Sequence, residues 1–346
     1  MDFEYDLKYC VLTFLWSFMI SLFAMPSIIS MAHSKKLLDA PNKRTMHTVL
    51  TPRLGGVGIF AGFFSALTIF GDFKNSDSGV QMLLAGSVIL FFVGLRDDIT
   101  PVSVFKKFFM QVLAAGIVVF FGGVRIESFY GFLDIIILDE GVSYGITFLI
   151  LIGITNAVNL IDGLDGLAGS LILFVCLFFG AAFLLGESPY VFVAIALAGS
   201  LLGFLRYNFY QAKIFMGDTG SLLSGFVVAV LAIKSVDLKI EGVNMPTMTL
   251  AVLIIPVIDT LRVFFLRVLD GKSPFTPDKR HLHHVLSAFG FSSRVVVFLL
   301  LVINLFFIII VYQLGQIWTI TQVVFSIIGF ALFFLSVPTI FRRTKK

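Results

Sequence analysis

ITFLILIGITNAVNLIDGLDGLAGSLILFVCLFFGAAFLL, residues 146–185, consists of two apolar runs joined by a polar hinge. Neither run carries a charge, while Asn156, Asn159, Asp162 and Asp165 gather at the junction with Gly163, Gly166 and Gly169. An α-helix rises about 1.5 Å per residue, so about 20 apolar residues cross a bilayer. The stretch therefore reads as two membrane spans meeting at the bilayer edge around carboxylates and amides. A helix-packing face would explain the glycines, but it leaves two Asp and two Asn without a reason.

The same reading extends along the chain. Of 346 residues, 58% are hydrophobic and 13% charged. Soluble domains are about a quarter charged, so a water-exposed globular surface is excluded. Apolar runs and their breakers predict an all-α polytopic membrane protein of about 11 transmembrane helices. They fall near 9–31, 54–71, 80–95, 108–123, 143–158, 167–185, 190–205, 219–234, 247–265, 295–314 and 317–340. The first run exceeds a signal-peptide core and shows no clear small-residue cleavage pattern, so it is expected to be a retained span. Without a repeat or linker, residues 1–346 are expected to form one integral membrane domain. The longest outer connection, 124–144, allows a short interfacial hairpin or helix. Cys10 and Cys176 lie in apolar runs and suit packing, not a disulfide or zinc site.

Charge gives the orientation. Lys35, Lys36, Lys43, Arg44 and Arg53 fall in one connection, Arg96, Lys106 and Lys107 in another, and Arg206 and Lys213 in a third. Arg262, Arg267, Lys272, Lys279, Arg280 and Arg294 follow on the same predicted side, as does the basic tail. The positive-inside rule then predicts an external N-terminus and a cytoplasmic C-terminus. The net charge of +4 is what such loops require, and no nucleic-acid partner is expected from it.

Four clusters on the predicted inner side can carry chemistry. Arg96-Asp97-Asp98 closes an apolar helix. A charge at bilayer depth costs about 2.5–3.5 kcal/mol, so these acids either reach water as helix-end charges or have a purpose. Asn159, Asp162 and Asp165 recur every three residues; on a helix they would share a face suited to a divalent cation and a polar ligand, and they lack the EF-hand pattern. FMGDTGS, residues 215–221, places Asp218 at the start of an apolar helix, either as an N-cap or as a metal ligand beside N–H groups that favour anions. No Walker lysine follows. The loop from Asp270 to His284 gathers Lys279, Arg280, His281, His283 and His284. That loop matches a cationic lid over phosphates better than a zinc site, unless it merely serves topology. Asp259 reads as an i,i+3 partner of Arg262.

Together with DAPNKRTMH (39–47) and TPRLGG (51–56), these segments resemble, in their order, the polyprenyl-phosphate N-acetylhexosamine-1-phosphate transferases. Those bacterial enzymes start cell-envelope glycans. The matching pieces run from Asp39 to His284. HLHH preceded by Lys279-Arg280 is similar to the enzymes that use UDP-N-acetylglucosamine for O-antigen, common-antigen or teichoic-acid linkage. Leu282 interrupts the three consecutive histidines typical of the peptidoglycan branch.

The resemblance implies transfer of GlcNAc-1-phosphate, or a related HexNAc-1-phosphate, from a UDP-sugar to undecaprenyl phosphate with release of UMP. It places the enzyme in the bacterial inner membrane with its active site facing the cytoplasm. It implies Mg²⁺, with Mn²⁺ as a substitute, held mainly by Asp218 with Asn159 second. Asp97 would deprotonate or orient the lipid phosphate, with Asp98 its partner near the metal. Lys107 would contact phosphate, with Lys106 left open beside it. Asp165 and Phe215 match uridine contacts, and Asn156, Asp162 and Asn208 are further substrate-side candidates. Arg280, His281, His283 and His284 would close over the diphosphate and sugar. The expected partners are the UDP-N-acetylhexosamine, undecaprenyl phosphate and membrane lipid, with a homodimer left open. The rival class is a secondary transporter, because intramembrane acids and broken helices also build ion paths. Such a protein would place its acids near the midplane and show related halves.

Overall fold

The eleven apolar runs are all helical, but the run expected at 247–265 is broken into two helices. The structure, a computed structural model, describes residues 3–38, 50–71, 78–271 and 280–344. In chain order the first helices are α1 (Phe3–Ser34), α2 (Gly55–Phe70), α3 (Gly79–Ile99) and α4 (Val104–Gly116), which a π turn at Ile117–Phe121 extends. After the outer segment come α5 (Glu140–Ile161), α6 (Leu167–Leu185), α7 (Tyr190–Asn208) and α8 (Gly217–Ser235). The chain ends with α9 (Met245–Val252), α10 (Ile254–Leu269), α11 (Leu282–Ala288), α12 (Ser293–Gly315) and α13 (Ile320–Thr344). Among the described residues nine helices are long and apolar enough to cross a bilayer, and α9 with α10 makes a further passage bent by 68°. The remaining run, α2, is an apolar helix of 16 residues. The outer segment forms an antiparallel hairpin, β1 (Ser128–Phe132) with β2 (Ile135–Ile137). It rests on α13, where Thr321 Oγ1 accepts the Leu133 N–H at 2.8 Å.

Helix α8 is buried over almost its whole length and packs against α2, α3, α5, α6 and α7. Lipid tails are as apolar as leucine, so helices in a bilayer associate through close packing of small residues. Gly199 and Gly203, four residues apart on α7, meet α1 in this way: a Cβ at Gly203 would lie 2.7 Å from the Phe18 carbonyl. The bundle thus holds α8 as a fixed post, and its N-terminal end carries Asp218.

The bend between α9 and α10 has an identifiable cause. Pro256 has no N–H, so the Val252 carbonyl four residues earlier loses its helical donor. Asn304 on α12, almost fully buried, donates from Nδ2 to that carbonyl at 3.0 Å. An unpaired carbonyl in a dry interior costs about 1–3 kcal/mol. Asn304→Leu is therefore expected to lower stability by about that amount, read as a reduced melting temperature of the detergent-solubilised protein.

Candidate active site

Antiparallel succession brings the C-terminal ends of α3, α5 and α7 and the N-terminal ends of α4, α6 and α8 to one side of the bundle. There Asp98 on α3 closes over the first turn of α8. Its Oδ1 accepts the Asp218 N–H at 2.8 Å, and its Oδ2 accepts the Thr219 N–H at 2.9 Å and the Thr219 hydroxyl at 2.5 Å. The cap on α8 thus comes from another helix, not from Asp218. The turn depends on Gly217, which has φ +70° and whose Cβ would strike the Asp98 carboxylate at 2.5 Å.

With the helix capped from outside, the Asp218 side chain is left for the site. Its Oδ2 accepts from Lys107 Nζ at 2.6 Å, and the same ammonium reaches Asp97 Oδ2 at 3.0 Å. Asp97 Oδ1 also accepts the Val102 N–H at 2.5 Å. Asn159 Nδ2 donates to Asp218 Oδ1 at 3.3 Å and to Ser221 Oγ at 2.8 Å. Of the two adjacent lysines, Lys107 bridges the carboxylates and Lys106 is exposed. Asn156 is held in a paired amide contact with buried Gln111, its Nδ2 donating to Gln111 Oε1 at 2.7 Å.

Helix α5 stops at Ile161, so of the face expected to hold Asn159, Asp162 and Asp165 only Asn159 is helical. Asp162 and Asp165 lie instead in the loop between α5 and α6. Asp165 Oδ2 accepts the Ala212 N–H at 3.1 Å. Asn208, buried, accepts the Gly166 N–H and donates to the Ile214 carbonyl, both at 2.8 Å. Both side chains thereby tie the hinge loop to residues 208–214. Burial, with Asp218 and Asp98 nearby, pushes the Asp162 carboxyl up to about 7.

TPRLGG docks on FMGDTGS. Phe215 donates its N–H to the Pro52 carbonyl at 2.8 Å, and Gly55 and Gly56 donate to the carbonyls of Phe215 and Met216 at 2.9 Å each. Phe215 is half-buried beside the centre. From the other direction, His283 covers the hinge loop. It is 1% exposed, and a Cβ on Gly163 would come within 2.5 Å of its Nε2. His281 is buried and His284 half-buried. Arg280 Nη1 turns to Asp270 at 2.6 Å. The predicted elements at Asp39–His47 and Lys272–Lys279 lie outside the described residues.

Two expectations follow at the His283 seat. Gly163→Ala displaces the ring, at about 1–3 kcal/mol for overpacking, and is expected to depress turnover more than overall folding; paired activity and melting measurements check it. Burial, and secondarily the neighbouring His284, pushes His283 down to about 3. The unfolded chain therefore binds a proton that the folded site refuses between about pH 6.5 and pH 3, and stability falls as pH falls through that window. The acid limb of melting temperature against pH is expected to flatten in His283→Gln.

The donor set suits a hard divalent ion. Asp97 and Asp218 already converge on one cation, Lys107, and Asn159 Oδ1 has no partner among the described residues. Among those residues no three acidic, imidazole or thiol groups form a ready metal cage. Mg²⁺ commonly uses one or two protein carboxylates and completes its shell with water and substrate phosphates, so the arrangement fits. Sequence reading assigned no role to Thr219, Ser221 and Gln111. Thr219 and Ser221 stood in view within FMGDTGS, but nothing local marked which helices they would face.

An acidic centre bridged by lysine, on one face of a polytopic bundle, defines a membrane protein with a candidate active site at one end of its helices. The chain matches glycosyl transferase family 4 over residues 80–236. It is 33% identical over 332 residues to the probable undecaprenyl-phosphate N-acetylglucosaminyl 1-phosphate transferase of Bacillus subtilis (strain 168), covering 92% of this chain and 89% of that one. It is 33% identical over 312 residues to the decaprenyl-phosphate N-acetylglucosaminephosphotransferase of Mycobacterium tuberculosis (strain ATCC 25618 / H37Rv), covering 81% and 76%. It is also 29% identical over 269 residues to the undecaprenyl-phosphate alpha-N-acetylglucosaminyl 1-phosphate transferase of Escherichia coli (strain K12), covering 75% and 71%. The chain belongs to this family of polyprenyl-phosphate sugar-phosphate transferases and is a multi-pass membrane enzyme.

Proposed function

We propose that the protein transfers N-acetylglucosamine 1-phosphate, or a related N-acetylhexosamine 1-phosphate, from its UDP-sugar to undecaprenyl phosphate. An oxygen of the lipid phosphate forms a bond to the phosphorus bearing the sugar, the bridging P–O bond breaks, and UMP leaves. The observation that carries this reading is the convergence of Asp97 and Asp218 on the Lys107 ammonium, with Asn159 on the other oxygen of Asp218, beside apolar helices that a prenyl chain can enter. Phosphoryl transfer is catalysed mostly by positioning and electrostatics, and the chain supplies both. Asp97, fixed by the Val102 amide, orients the lipid phosphate or takes its proton. Lys107 meets phosphate oxygens. Phe215 offers a ring for uracil, and Asp165 steadies the loop below it. His284, the least buried of the three histidines, is the one left to meet the diphosphate.

Asp218 and Asn159 would hold Mg²⁺, which when bound neutralises charge on the diphosphate and the leaving UMP. The basic loops support a reading in which this side of the bundle faces the cytoplasm, where UDP-sugars are made, across the bacterial inner membrane. The test is UMP release by purified protein given undecaprenyl phosphate and Mg²⁺, with UDP-N-acetylglucosamine compared against other UDP-sugars. UMP and a matching lipid-linked product from one sugar support the reading. Folded protein that releases UMP from none of them overturns it.

A further inference from the structure

The transfer chemistry leaves a buried ionic cluster on α10 unused. Asp259 and Arg262 are each 3% exposed. Asp259 Oδ1 accepts from Arg262 Nη2 at 2.7 Å, and its Oδ2 lies 3.0 Å from His281 Nδ1. The carboxylate also accepts the Leu282 N–H, at 3.1 Å to Oδ1 and 3.2 Å to Oδ2. Arg262 Nη2 reaches the Arg280 carbonyl at 2.7 Å. Residues 280–282 are thus clamped to α10 where the chain enters α11.

A buried ion pair adds little stability over apolar residues of the same volume, so what this one orients explains it better. Paired with arginine, the Asp259 carboxylate acts only as an acceptor. The His281 proton therefore sits on Nδ1, and Nε2, buried and without a hydrogen-bond partner, is the nitrogen left over. The His281 ring lies nearly parallel to that of His283, at 17° and 5.9 Å between centroids, and His283 meets His284 at 4.2 Å. His283 in turn rests on Gly163 of the hinge loop. A row of rings thus runs from α10 to the α5–α6 loop.

We propose that Asp259 is the positioning residue of the histidine cluster. With Arg262 it fixes the ring and tautomer of His281, and through that ring it places His283 and His284 over the α5–α6 loop. The kinetic part of the test rests on the transferase reading; the spectroscopic part does not.

The experiment compares wild type with Asp259→Asn, His281→Ala, the Asp259→Asn/His281→Ala double variant and Asp259→Asn/Arg262→Gln, in detergent or nanodiscs. The last variant removes both buried charges, so a loss caused only by a stranded arginine disappears in it. Misplacement of a catalytic group lowers turnover by about 10²-fold. Asp259→Asn and Asp259→Asn/Arg262→Gln are expected to lose about that much in kcat, with KM for the UDP-sugar nearly unchanged. The double variant with His281→Ala is expected to be no slower than His281→Ala alone, because groups acting as a unit are not additive. In ¹⁵N spectra of histidine-labelled protein, Asp259→Asn is expected to shift the His281 ring nitrogens.

Multiplicative losses, wild-type turnover in Asp259→Asn/Arg262→Gln, or an unchanged imidazole spectrum would each overturn the proposal. If wild type releases UMP from no UDP-sugar while Asp259→Asn still shifts the His281 ring nitrogens, the positioning role is upheld and the transferase reading is overturned.

Discussion

Asp218→Asn is expected to reduce UMP release by about 10³-fold while the protein stays folded, because the loss of several kcal/mol of charge neutralisation at a phosphoryl centre corresponds to that factor. Asparagine keeps the shape, but its one carbonyl oxygen can accept from Lys107 or from Asn159 and not from both, since they now use different oxygens of Asp218, and it carries no charge to share with a divalent ion. The α8 cap is untouched, since Asp98 receives the backbone amides of residues 218 and 219. The melting temperature should therefore hold while the Mg²⁺ concentration needed for half-maximal rate rises. Equal activity in variant and wild type across a Mg²⁺ titration would remove Asp218 from the proposed metal site.

Asp98→Ala is expected to fail differently, in fold and activity together. The substitution strands the Asp218 N–H, the Thr219 N–H and the Thr219 hydroxyl, which the two carboxylate oxygens now satisfy. Each orphaned buried donor costs about 1–3 kcal/mol, and helix N-termini offer no internal partner for their first amides. The α8 terminus then shifts and carries Asp218 away from Lys107 and Asn159. Melting temperature and turnover are expected to fall in parallel. A variant of normal stability with lost turnover would instead assign Asp98 to the reaction itself.

These contrasting roles for adjacent acids mark where sequence reading stops. Apolar runs, their breakers and the basic loops are local signals, and they gave the eleven helical segments and placed FMGDTGS at a helix start. The polar hinge was legible too, because two Asp and two Asn between two uncharged runs have no packing explanation. The choice between Lys106 and Lys107 was not, since adjacent side chains on a helix point about 100° apart and only the packing of α4 against its neighbours selects one. Nor was the end of α5 at Ile161, which takes Asp162 and Asp165 off the face they were expected to share with Asn159. Asp259 was legible as a partner of Arg262 but not of His281, 22 residues away.

By itself, then, the sequence determined that this is a polytopic membrane protein, which segments are apolar helices, and which short motifs carry polar chemistry, because each rests on residues within a turn or two of one another. Tertiary structure alone decided which acid caps a helix and which is left facing the lysine. Asp98 and Thr219 are separated by 121 residues, and their meeting depends on how α3 packs against α8, a relation between helices that no local period encodes.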